Sequence, residues 1–100
     1  SYDNYNIDAT ESKKIRKLAT LIKNNSLNVR IEGHCDERGT REYNLALGEK
    51  RANAVAEILI INGVSQSKIS TVSYGEEKPS ANGSNDKSWS INRRAVIKTF

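Results

Sequence analysis

A histidine, a cysteine and an aspartate stand consecutively at His34, Cys35 and Asp36. These are the residue types of a nucleophile, its base and an orienting acid, and catalysis needs them within hydrogen-bond reach of one another. Upstream, Leu27, Val29, Ile31 and Gly33 alternate with Asn28, Arg30, Glu32 and His34, the period of a half-buried strand. Neighbours at the end of such a strand point to opposite faces, so His34 and Cys35 are directed apart. Cys35 is expected to be a small, partly buried residue and His34 a strand-end hydrogen-bonding group. The chain has one histidine and one cysteine, short of the roughly three or four ligands a zinc site requires, and a lone cysteine closes no disulfide within the chain. The residues therefore point away from an enzyme and call for no cofactor.

The elements that must position these groups follow from periodicity and caps. From Asp8 to about Asn24, Ile15, Leu18, Ala19 and Ile22 recur at the spacing of one buried helical stripe. Asp8 or Thr10 is the expected cap, with Glu11 three positions after Asp8. The strand from Leu27 to His34 ends at the polar turn Cys35-Asp36-Glu37-Arg38-Gly39. Thr40 then caps a long helix to about Asn62, with Leu45, Gly48, Ala52, Val55 and Leu59 along one stripe and Ile58 and Ile61 widening it, and Asn62-Gly63 stops it. Ile69 to Tyr74 reads as a second strand, residues 76 to about 88 as a surface loop holding the single proline Pro79, and Ala95 to Phe100 as a closing strand. Tyr2 to Ile7 reads as the remnant of an initial strand. The order helix, strand, helix, strand, strand predicts a sheet with two helices packed on one face.

Composition bounds the partners. One hundred residues with 36% hydrophobic and 28% charged content suit one domain with one core. A formal charge of +4 suits an anionic partner, whether nucleic acid, anionic lipid or an acidic wall polymer. No aromatic stacking motif and no helix with a dense Lys/Arg stripe is evident, so nucleic acid is not expected. No apolar run approaches the ~20 residues that span a bilayer. The chain opens at Ser1 without an initiator methionine or a leader, and is expected to be an excised piece whose targeting signals lie upstream.

Several separated motifs, in order, carry a family resemblance. Gly33-His34-Cys35-Asp36-Glu37-Arg38-Gly39-Thr40, Glu42-Tyr43-Asn44, Leu47-Gly48, Arg51-Ala52 and Ala54-Val55 resemble the signature of the OmpA C-terminal domain family. Val72-Ser73-Tyr74-Gly75-Glu76-Glu77-Lys78-Pro79 and Asn92-Arg93-Arg94-Ala95-Val96 resemble the later motifs of its peptidoglycan-associated lipoprotein branch. The resemblance covers almost the whole chain. Cys35 stands where the family usually has a small residue such as Thr or Ala, and Tyr2-Asp3 resembles only the end of the family's opening Phe-Asp segment. The resemblance implies an α/β fold, a βαβαβ two-layer sandwich with a mixed sheet and two main helices on one face, over residues 1–100 as one peptidoglycan-binding domain.

The implied ligand is the diaminopimelate-containing stem peptide of peptidoglycan. The free end of diaminopimelate carries an ammonium and a carboxylate on one carbon, which together need an acceptor-only group beside a cationic fork. The family match assigns these roles to Asp36 and Arg51, whose guanidinium can grip a carboxylate with two prongs. Asn44, seven residues before Arg51 and so on the same helical face, would hydrogen-bond the peptide, and Leu47 would pack on its methylene chain. Thr40 and the amides at the helix N-terminus would favour a ligand carboxylate, with Tyr2 and Asp3 at the rim. Taken singly, Asp36 is an ordinary turn acid and Arg51 a solvated helix-face cation, and the family spacing favours the ligand role for both; Leu47 reads equally as a core residue or a pocket wall, and Asn44 equally as a cap or brace for the preceding loop. Arg93 and Arg94 are read as structural ion-pair partners of an acid.

By the same resemblance the domain anchors the outer membrane to the wall as part of a Tol-Pal-type system. It would lie at the periplasmic face of the Gram-negative outer membrane, touching the membrane only through an upstream lipid anchor. TolB and other Tol components are expected partners, with Glu37-Arg38-Gly39 in that contact surface. The alternative is a Tol interaction module with only weak wall binding. Because the family tolerates small residues at its position, Cys35→Ala and Cys35→Thr are expected to fold and to bind wall material nearly as the parent does. Sedimentation with insoluble peptidoglycan checks this, and a folded Cys35→Ala that no longer cosediments contradicts it.

Overall fold

A computed structural model describes residues 7–34, 40–75, 87–91 and 95–100. Helix α1 runs Ala9–Asn24, strand β1 Val29–His34, helix α2 Arg41–Ile61, a short 3-10 turn Gln66–Lys68, then β2 Ile69–Gly75, β3 Lys87–Ile91 and β4 Ala95–Thr99. The expected opening strand falls almost wholly on residues outside this description.

Both helices begin and end by local chemistry. Asp8 caps α1, its carboxylate accepting from the Glu11 amide at 2.8 Å, and Thr40 caps α2, its hydroxyl accepting from the Tyr43 amide at 3.0 Å. Each side chain satisfies a donor that the first helical turn leaves without a partner. At the exits, Gly63 (φ 98°) and Ser26 (φ 51°) take the left-handed conformation. Around Gly63 the amides of Gly63 and Val64 return to the carbonyls of Ile60 and Leu59; around Ser26 those of Ser26 and Leu27 return to Lys23 and Ile22. This double back-bonding ends a helix and lets the next residue turn inward. The Lys23 ammonium donates to the Asn62 carbonyl at 2.7 Å, joining the two helix exits.

The sheet order is β2-β1-β4-β3, with β1 parallel to β2 and antiparallel to β4, and β3 antiparallel to β4. A parallel pair cannot be joined by a tight turn, and α2 supplies the crossover between β1 and β2. Ile15, Leu18, Ala19 and Ile22 of α1, Ala52, Val55 and Leu59 of α2, Val29 and Ile31 of β1, and Ala95 and Ile97 of β4 form one continuous core. Both helices therefore cover the same sheet face, as expected. The opposite face of β1 and β4 carries Arg30, Glu32, His34 and Lys98.

Three expectations change. Residues 87–91 form a strand, not the end of a loop: Lys87-Ser88-Trp89-Ser90-Ile91 is short and half polar, and its partner β4 rather than its composition makes it a strand. Along α2 the buried residues are Leu47, Gly48, Arg51, Ala52, Val55, Ala56 and Leu59, while Leu45 is only half-buried and Ile61 is 77% exposed. Nor is α1 free of a cationic face: Lys13, Lys14, Arg16 and Lys17 all lie exposed on its outward side, and of these only Lys14 pairs with an acid among the described residues, Glu11 at 3.2 Å.

Helix α2 meets the sheet backbone to backbone. A β-carbon added to Gly33 would stand 1.8 Å from the carbonyl oxygen of Gly48, and one added to Gly48 would stand 2.3 Å from the Ser73 hydroxyl. The Ser73 hydroxyl itself donates to the Leu45 carbonyl at 2.7 Å. Gly33→Ala is thus expected to lower the unfolding free energy by ~3 kcal/mol, because rigid backbone stands in the way. Ser26→Gly is expected to raise it by ~1 kcal/mol by relieving a left-handed non-glycine residue. Urea unfolding of the two variants checks both signs.

Candidate functional site

The polar groups of interest gather where β1 ends and α2 begins. In a sheet built from parallel strand-helix-strand units, this carboxyl end of the strands is where connecting loops, and ligands, collect. The Gly33–Gly48 contact sets how close α2 stands to β1 here. Arg51 lies one turn beyond Gly48, so a helix packed this tightly carries the guanidinium under the end of the strand.

Arg51 is 2% exposed, and its Nη1 donates to the backbone carbonyl of His34 at 2.9 Å. A buried guanidinium is costly unless its donors are satisfied. Its position is therefore set by the end of β1, and it is not a cation of the solvated helix face. Asn44 is half-buried on the same edge of α2, its backbone N–H donating to the Thr40 carbonyl at 3.0 Å. Leu47, between Asn44 and Arg51 along α2, is buried at 4% exposed. Thr40 is exposed, its hydroxyl serving the helix cap. Thr40, Asn44, Leu47 and Arg51 thus follow one another down α2 from its N-terminus. Asp36, Asp3 and Tyr2 lie outside the described residues, as do Cys35, the Glu37-Arg38-Gly39 turn, Arg93 and Arg94.

Two features escaped sequence reasoning. His34 was expected to make a strand-end hydrogen bond; the group that bonds Arg51 is its carbonyl, which no side-chain pattern announces. Glu32 was placed on the outward face by alternation, and that face proves not to be solvated there. Glu32 is 5% exposed. Its Oε2 lies 3.2 Å from Arg30 Nε and 3.5 Å from Lys98 Nζ, and its Oε1 lies 3.7 Å from His34 Nε2. The alternation of Arg30, Glu32 and His34 with a lysine on the closing strand was the signal available. Among the described residues no three His, Cys, Asp or Glu side chains come together as metal ligands.

Comparison with known proteins establishes the family and the fold. Residues 1–93 match the model of the OmpA family. The chain belongs to that family. It is 44% identical over 97 residues to the peptidoglycan-associated lipoprotein of Pseudomonas aeruginosa, covering 97% of this chain and 58% of that protein. It is also 44% identical to the protein of the same name from Pasteurella multocida, covering 96% of this chain and 65% of the relative. The chain therefore spans roughly three-fifths of the length of such OmpA-family relatives. The crystal structure of the peptidoglycan-associated lipoprotein from Burkholderia pseudomallei superposes with a TM-score of 0.81 at 40% identity, covering all of this chain and 86% of that one. The C-terminal domain of Helicobacter pylori MotB, at 22% identity and a TM-score of 0.75, shares the fold.

Proposed function

We propose that this OmpA-family domain binds peptidoglycan non-covalently through the diaminopimelate end of a stem peptide, and that it performs no catalysis. The observation that carries the reading is the buried Arg51 guanidinium, held by the His34 carbonyl at the end of β1, in a chain 44% identical to proteins named for association with peptidoglycan. In this reading Arg51 takes the ligand carboxylate and Asp36 the ammonium. Asn44 hydrogen-bonds the peptide and Leu47 packs on its methylenes, while Thr40 holds the helix N-terminus beside them and Tyr2 and Asp3 form the rim. The non-catalytic reading is supported by the setting of His34, whose imidazole faces Glu32 and Tyr74.

The cellular role we infer is attachment of the outer membrane to the wall from its periplasmic face. TolB and other Tol components are proposed partners, and the bilayer is reached only through a lipid anchor elsewhere in the parent protein. The names of the relatives, which join peptidoglycan association to lipid attachment, support both ends of that tether.

Removing one member of a desolvated charge pair leaves its partner uncompensated, a loss of about 2–5 kcal/mol. Asp36→Ala and Arg51→Ala are each expected to weaken binding of a diaminopimelate muropeptide by well over tenfold while circular dichroism shows a folded domain. Arg51→Lys keeps the charge and discards the planar fork, so affinity is expected to fall although net charge does not. The lysine-containing muropeptide, which lacks the terminal carboxylate, is expected to bind weakly to the parent domain. An Asp36→Ala variant that binds more tightly would overturn the assignment in favour of diffuse attraction, and release of soluble muropeptides from the wall would overturn the non-catalytic reading.

A further inference from the structure

The imidazole of His34 has a setting of its own on the far side of the strand from Arg51. Strands β1 and β2 pair in step from Val29 with Ile69 to Gly33 with Ser73, after which His34 pairs with Gly75. One extra residue, Tyr74, is thereby admitted into β2. Such an irregularity bends a strand and re-aims a side chain, and it recurs beside functional sites. The Tyr74 ring lies 5.4 Å from the His34 ring, centroid to centroid, at an interplanar angle of 32°.

Among the described residues a charged cluster also adjoins the imidazole. Its Nε2 stands 3.7 Å from Glu32 Oε1, while Arg30 of the same strand and Lys98 of β4 hold the other carboxylate oxygen. Its Nδ1 is buried with no hydrogen-bond partner among the described residues. A buried nitrogen left unsatisfied is unfavourable, and the contacts that favour the ring's position among the described residues are those with Glu32 and Tyr74. The carbonyl of the same residue is the acceptor for Arg51 Nη1. Ring and carbonyl share one α-carbon, so a ring fixed on one face of the sheet restricts the peptide plane that presents the carbonyl on the other.

We propose that His34 is a positioning residue of the binding site: its ring, wedged between Glu32 and Tyr74 where β2 admits an extra residue, fixes the carbonyl that orients the Arg51 guanidinium. The ligand feels this through the plane of the fork. Two-pronged recognition of a carboxylate depends on that plane, whereas simple charge attraction does not. The inference rests on the proposed role of Arg51 toward the ligand carboxylate.

The test is the ratio of affinities for a diaminopimelate muropeptide and its lysine-containing analogue, measured by calorimetric titration, with thermal unfolding recorded for each variant. A purely structural histidine changes the unfolding temperature and leaves the ratio of the folded fraction alone. A positioning histidine moves the ratio. In His34→Ala the ratio is expected to fall by about tenfold, mainly through the diaminopimelate ligand. His34→Gln, whose amide reaches toward Glu32 as Nε2 does, is expected to recover a substantial part of it. His34→Leu, which fills the space without a polar atom, carries the same expectation as alanine should the alanine variant not fold. Arg51→Lys in the same series separates the two readings. If it keeps the parent ratio, the proposed role of Arg51 falls and this inference with it. If it collapses the ratio while folded His34→Ala and His34→Leu preserve theirs, the role of Arg51 stands and the positioning role of His34 is overturned.

Discussion

The approach of α2 to β1 at Gly33 and Gly48 is the constraint on which the rest of the domain depends. Two side-chain-free positions let the helix backbone rest on the strand backbone, with the Gly48 carbonyl occupying the space where a residue at position 33 would carry its β-carbon. From that depth Ala52, Val55 and Leu59 reach the core formed with Val29, Ile31 and Ile97. Ser73 secures the contact from β2 by donating to the Leu45 carbonyl. The same closeness carries Arg51, one turn on, beneath the end of β1. With bulkier residues at the contact the helix would ride higher, and the guanidinium would no longer meet the His34 carbonyl. Core packing and the geometry of the candidate site are thus consequences of one contact.

The two faces of the sheet are stabilised by different physics. On the helix side the residues are apolar and close-packed, and burial of their area is the favourable term. On the other side a carboxylate, Glu32, is withdrawn from water and compensated by Arg30 and Lys98, with the His34 ring beside it. Replacing such a cluster with apolar residues is often neutral or stabilising, so its presence is weak evidence for stability in its own right. Its members sit on β1 and β4, and it ends at the residue whose carbonyl holds Arg51. Polar pairing on one face and a buried cation on the other meet at His34.

Membership of the OmpA family, and the likeness to the Burkholderia pseudomallei protein, bear on the fold and on the order of motifs along it. Within that frame the positions argued for chemistry fall into two groups. Thr40, Asn44, Leu47 and Arg51 are set by a helix whose start is capped and whose depth is fixed. Asp36, Tyr2 and Asp3 belong to segments outside the described residues, and their roles rest on the family spacing and the proposed ligand.

What the sequence by itself determined was local. Thr40 was legible as a cap and Asp8 as one of two candidates with Thr10, Gly63 as a helix stop, residues 27–34 and 95–100 as strands to within a residue or two, and Ile15, Leu18, Ala19 and Ile22 as a buried stripe, because each depends on neighbours within a turn or on a simple period. The order of the motifs also made the family and the two-layer fold legible. Tertiary structure alone decided the remainder. The serines and lysine of residues 87–91 become a strand because β4 offers its edge. In α2 apolar residues extend too far round the helix for periodicity to select a face, and the glycine contact buries Leu47 and Arg51 while leaving Leu45 half-covered and Ile61 in water. Arg51 read alone is a surface cation; it is a buried one because a backbone carbonyl 17 positions earlier comes to meet it. A contact between groups so far apart along the chain depends on how helix and sheet pack, and no local pattern records that.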